Sequence, residues 1–157
     1  IMAAKQAAEV SDITVGIVPT KTISQGLTAM LSFDPDASVD DNVEAMTENL
    51  DTVVSGEVTQ ANRDTTINDV EIHKNDYLGI VDGDIKIDNA DLIKATTETV
   101  EKMLDDDTEI ITIMYGRDAK KEQAEKVVSA LKAKHDDLEF EIHDGGQPVY
   151  NFLISAE

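Results

Sequence analysis

The chain has 157 residues, with 33 acids against 13 bases, a net charge of −20 and no cysteine. That charge excludes nucleic acid and anionic membrane surfaces as partners. The missing cysteine excludes disulfides and thiolate metal sites, and fits a reducing cytoplasm, the expected location.

The first residues, Ile1 to Val10, are strongly helical, yet nothing ahead of them could cap a helix. They read as a fragment that begins inside a helix, with a strand before it in a longer protein. The apolar run Ile13 to Val18 reads as a buried strand that Pro19 ends. Thr20, Lys21, Thr22 and Gln25 then crowd a polar junction into a helix predicted over 23–33. A strand that runs into a polar loop and a helix is a common binding corner in α/β proteins, and free N–H groups there favour an anion. The plainer reading has Thr22 or Ser24 capping the helix and Lys21 solvated. Phe33 to Asp36 is a turn, and Ser38 opens a helix to about Val53 with Asp41 at its third position. Leu27, Met30 and Leu31, like Val43, Met46 and Leu50, recur at helical spacing and read as core.

Eight acids and no base lie between Lys21 and Arg63. They form either a solvated helix face or a docking face for a basic partner. Asp34, Asp36, Ser38, Asp40 and Asn42 alternate as in calcium loops. Val39 and Ala45 stand where such a loop needs Gly and a bidentate Glu, so calcium is not expected.

Residues 54–87 read as a β-meander. Asn68-Asp69 and Asp82-Gly83 mark its hairpin turns, because type I′ turns need φ > 0 at both central positions. A helix at about 90–104, the strand Ile110–Tyr115, a helix at about 120–134 and the strand Leu138–His143 follow, implying a parallel crossover. A last strand, about Val149 to Ser155, is expected as an edge or closing strand. The fold class is therefore α/β with α+β elements: strand–helix units around a mixed sheet with a central meander. The expected domain is a single one, with sub-regions 1–53, 54–87 and 88–157.

There is no P-loop and no dinucleotide fingerprint. His73, His135 and His143 fall at no metal-ligand spacing with one another, so zinc is not expected. His143 precedes Asp144-Gly145-Gly146-Gln147-Pro148, where two glycines allow close backbone approach and Gln147 adds a donor and an acceptor. That stretch is either a structural turn or a binding loop. No apolar run approaches the roughly 20 residues of a membrane span, so membrane insertion is not expected.

Taken together, Ile17 to Gly26, Phe33-Asp34-Pro35 with Asn42 to Met46, Val58 to Thr66, Gly79 to Gly83 and His143 to Tyr150 resemble, in order, the C-terminal domain of the catalytic subunit of bacterial fatty acid kinase. Members of that family carry an N-terminal dihydroxyacetone-kinase-like (DhaL) domain. The resemblance implies that this chain is the C-terminal domain, without the domain that holds ATP and magnesium, and it carries over no catalytic residue. It further implies docking of a separate fatty-acid-binding protein of the DegV type. The parent kinase would phosphorylate the bound fatty acid to an acyl phosphate for phospholipid synthesis. Thr20, Lys21, Thr22, Gln25, Arg63, His143 and Gln147 are the residues expected near a partner or ligand. A small-molecule module holding a fatty acid or phosphate is the alternative, and a homodimerising structural domain is a third.

Overall fold

The computed structural model describes residues 2–157, which divide at Val53/Val54 into two compact units. The first holds α1 (Met2–Glu9), α2 (Ile23–Leu31), α3 (Val39–Glu48) and a 3₁₀ turn, Leu50–Thr52. Of the helix expected over 1–10, Ile1 lies outside the described residues.

The strand expected at 13–18 does not form, because neither sheet includes this segment. A strand needs a neighbour for its N–H and C=O groups, and apolar content alone supplies none. Ile13 is 75% exposed. Gly16 sits tight on α3, where a Cβ would overlap the side chains of Val39 and Val43. Ser38 caps α3, accepting from the Asp41 N–H at 3.1 Å and donating to the Asp41 carboxylate at 2.7 Å. The acid-rich turn before α3 is braced by buried Asn42. Its Nδ2 donates to the Asp34 carbonyl and its Oδ1 accepts the Asp34 N–H, both at 2.8 Å.

The second unit contains β1 (Val54–Gln60), β2 (Thr65–Ile67), β3 (Val70–Ile72), β4 (Tyr77–Val81), β5 (Asp84–Asn89), α4 (Leu92–Glu101), β6 (Ile110–Tyr115), α5 (Lys121–Lys132), β7 (Glu139–Asp144) and β8 (Tyr150–Ala156). Six strands form one mixed sheet in the order β5-β4-β1-β8-β6-β7, and β2 and β3 form a separate ribbon. The meander and the last third of the chain thus share a sheet. Asn68 and Asp69 turn the ribbon with φ of 50° and 64°, and Asp82 and Gly83 turn β4 into β5 with 49° and 87°. β6 and β7 pair in parallel around α5, as the crossover requires.

β8 is not an edge strand. It lies in the centre, antiparallel to β1 and β6. Its run Asn151 to Ala156 is buried throughout, and a continuously apolar strand fits a central position better than an edge. On one face of the sheet Val58, Ile111, Ile113, Phe152 and Ile154 pack with Leu92 and Val100 of α4 and Val127 and Leu131 of α5. The buried hydroxyls of Thr96 and Thr99 donate back to the Leu92 and Ala95 carbonyls at 2.7 Å, so neither hydroxyl is stranded there. Ala61, Ile72 and Leu78 form a second cluster with Val70 of the ribbon and Ile85 of β5. Among the described residues, no helix is long and apolar enough to cross a membrane.

Two positions test this packing. A Cβ on Gly79 would overlap the Thr99 hydroxyl and come within 2.9 Å of Ile87, whereas one on Gly26 in α2 meets nothing within 4 Å. Gly79→Ala should therefore destabilise by about 1–3 kcal/mol. Gly26→Ala should stabilise by about 0.5–1 kcal/mol, with denaturant titration as the readout. Glu57, opposite Ile80 and Leu153, has no hydrogen-bond or ion-pair partner among the described residues, and desolvation raises its pKa above 4.5. A raised carboxyl favours the protonated fold, so its cost is absent below the unfolded pKa and complete once pH exceeds the folded value. Glu57→Gln should raise the thermal midpoint at neutral pH, and the gain should vanish in acid.

Candidate functional site

The polar junction of the first unit is an N-cap. Thr22 accepts from the Gln25 N–H at 3.1 Å, and Gln25 Oε1 folds back to the Lys21 N–H at 2.9 Å. Gln25 Nε2 reaches the Leu50 carbonyl at 3.4 Å, tying α2 to the 3₁₀ turn. Thr22 and Gln25 are thus engaged in holding the helix start, Thr20 is half-buried, and Lys21 is exposed beside them.

The same unit carries a feature that helical spacing disguised. Leu27 is 53% exposed, Met30 59% and Leu31 83%, so the stripe read as core faces outward. Ile23 and Phe33 extend it. Next to it lies a hollow of about 500 Å³ lined by Val18, Met30, Phe33, Val39, Val43 and Met46. The exposed acids Asp40, Asp41, Glu44 and Glu48 of α3 and Asp51 after it stand in the same unit, which has no base after Lys21. The available signal was size: a unit of some fifty residues cannot bury this many large apolar side chains.

In the second unit the ladder registers bring the ends of several strands together. Gln60 faces Tyr77, Thr59 faces Tyr150, and Tyr115 faces both Phe152 and Asp144. Arg63, His143 and Gln147 all leave the sheet at this end, as do Arg117 and all three tyrosines. Arg63 lines a cleft of about 320 Å³ with Thr59, Gln60, Asn62 and Thr65 over Ile72, Leu78 and Val149. Val149 holds φ of 73°, rare for a β-branched residue, and its carbonyl accepts from the Thr59 hydroxyl at 2.9 Å. His143 is exposed and lies 3.0 Å from Glu141. Desolvation and the Asp144 carboxylate push the pKa of Tyr115 up.

Gln147 is built into its loop. Its Nε2 donates to the Met114 carbonyl at 3.0 Å, its own carbonyl accepts the Arg117 N–H at 3.0 Å, and the Arg117 Nε–H is held by Gly146. A Cβ on Gly145 would overlap the Gln147 side chain, and one on Gly116 would overlap the Gln147 and Tyr150 carbonyls. The two glycines therefore make room for this side chain and for the backbone around it. Gln147→Ala should cost about 1–3 kcal/mol in chemical denaturation, because it unpairs the Met114 carbonyl and empties the slot. His143→Ala should stay within about 0.5 kcal/mol of the parent.

Known proteins share this architecture. Residues 1–157 match the sequence profile of the FakA-like C-terminal family, the C-terminal region of fatty acid kinases. Protein YloV of Bacillus subtilis is 41% identical over the whole chain, and protein SAR1202 of Staphylococcus aureus is 36% identical over the whole chain. The chain spans 28% and 29% of the lengths of these two relatives. Among solved structures, the DegV family protein Cg2579 of Corynebacterium glutamicum superposes with a TM-score of 0.63 at 15% identity, covering 99% of this chain and 69% of that one. A DegV family protein of Ruminococcus gnavus, solved with vaccenic acid, gives 0.50 at 13% identity over 85% of this chain and 54% of that one. At such identities the likeness is one of fold: a mixed α/β domain of DegV type. The full-length profile match and the identity to YloV place this chain in the FakA-like C-terminal family of fatty acid kinases.

Proposed function

We propose that this domain docks a fatty-acid-binding protein of the DegV type, so that the ATP-binding domain of the longer kinase can phosphorylate the fatty acid it carries. The carrying observation is the outward apolar stripe of α2 with its adjoining hollow, in a unit whose exposed charges are almost all acidic. Contiguous exposed apolar surface with a polar rim marks protein interaction sites. The acids select a partner whose rim is basic and speed its arrival. Family membership supports the same reading. ATP and magnesium belong, in this reading, to the rest of the kinase.

A second reading, a small-molecule module, draws on the DegV fold and on the acyl ligand of the Ruminococcus structure. The space between the sheet and α4 and α5 is already filled by Phe152, Ile111, Ile113, Leu131 and Ile154, all fully buried, which favours docking.

Calorimetric titration with a purified fatty-acid-binding protein at low and high salt tests the proposal. Saturable binding that weakens with salt is expected. Met30→Glu, an exposed change, should weaken it by roughly tenfold or more, as for a residue central to an interface. Glu44→Lys should reduce its salt dependence. Undiminished binding by Met30→Glu would remove the stripe from the interface. A stoichiometric fatty acid recovered by lipid extraction would transfer support to the second reading.

A further inference from the structure

His73 follows β3 and begins the turn into β4, Asp76 closes that turn, and Asp88 stands on β5 opposite Leu78. One donor atom from each of the three lies within 4.8 Å of the others. His73 Nδ1 is 2.8 Å from Asp88 Oδ2, and the His73 backbone N–H lies 3.3 Å from both Asp88 oxygens. The Asp88 side chain is only 7% exposed. A carboxylate so far removed from water ordinarily has a full cation beside it. Among the described residues neither Asp88 nor Asp76 pairs with a lysine or arginine, and the half-buried Asp76 carboxylate has no hydrogen-bond partner among them.

The other ring nitrogen explains the arrangement. His73 Nε2 lies 3.8 Å from Glu71 Oε1. An outer carboxylate on that side holds the imidazole proton on Nε2 and turns the Nδ1 lone pair toward the two aspartates. Carboxylate–imidazole–metal relays are built this way. A proton on Nδ1 would instead satisfy Asp88 and leave Asp76 unanswered.

We propose that His73, Asp76 and Asp88 form a site for a divalent cation of the zinc type, with Glu71 orienting the histidine. One imidazole and two carboxylates, with water in the fourth position, suit zinc, whereas magnesium and calcium take larger all-oxygen sets. Bound there, the ion ties the β3–β4 turn to β5. This inference is independent of the docking reading.

Zinc titration of this chain by calorimetry near neutral pH, with magnesium as the control, tests the site, and cobalt substitution provides a visible spectrum. One zinc per chain, a raised unfolding midpoint and no response to magnesium are expected. His73→Gln and Asp76→Asn, both away from the packed core, should each weaken zinc binding by roughly tenfold or more. His143→Gln and His135→Gln, which remove the other two imidazole–carboxylate pairs, should leave it unchanged. Absence of zinc binding, an equal response to magnesium, or undiminished affinity in His73→Gln would overturn the site.

Discussion

β8 hydrogen-bonds to β1 on one side and to β6 on the other, and the second unit depends on that double pairing. Without it, the meander strands and the β6–α5–β7 crossover are two half-sheets, each with an open edge. Six of the seven β8 residues are buried, so the strand supplies core as well as ladder. β1 and β8 are joined across almost the whole unit, Val54 facing Ala156. Such long-range pairing raises the contact order and delays the reward for closing the chain. The sheet is therefore completed only when the strand at the far end of the unit has come into place.

The two units handle apolar surface in opposite ways. In residues 54–157, strands and helices share one closed core, and the threonine hydroxyls inside it are locally satisfied. In residues 2–53, short helices leave a stripe of aliphatic and methionine side chains open. Methionine suits an adaptable contact surface, because its unbranched side chain reshapes itself to a partner at little cost. The capped helix starts at Thr22 and Ser38 show that this unit is locally well specified despite its thin core.

Local chemistry was the legible part of the sequence. The turns at Asn68-Asp69 and Asp82-Gly83, the strand Ile110–Tyr115 and the Ser38 cap all follow from rules that act over a few residues. What sequence did not convey was pairing and coverage. Ile13 to Val18 has the composition of a strand but no neighbour, and β8 carries no local mark of being central. The spacing of Leu27, Met30 and Leu31 identifies an apolar face without saying whether anything lies over it. The cluster at His73 escaped for a related reason: its donors come from a turn and from a strand fifteen residues on, and only the β4–β5 register aligns them. Of the residues expected near a ligand, Gln25 and Gln147 show what physical reading of a loop misses, since an amide that could greet a partner can equally brace its own backbone.

The acids around the open stripe also govern how the domain behaves toward copies of itself. Two such faces carry the same sign of charge, so their approach is opposed before any aliphatic contact is made. At molar salt the Debye length falls to about 3 Å, and that opposition disappears while the attraction between the stripes grows. Ionic strength thus sets whether this domain stays dispersed or self-associates, and crowded acidic surfaces serve here as a colloidal safeguard for an exposed apolar one.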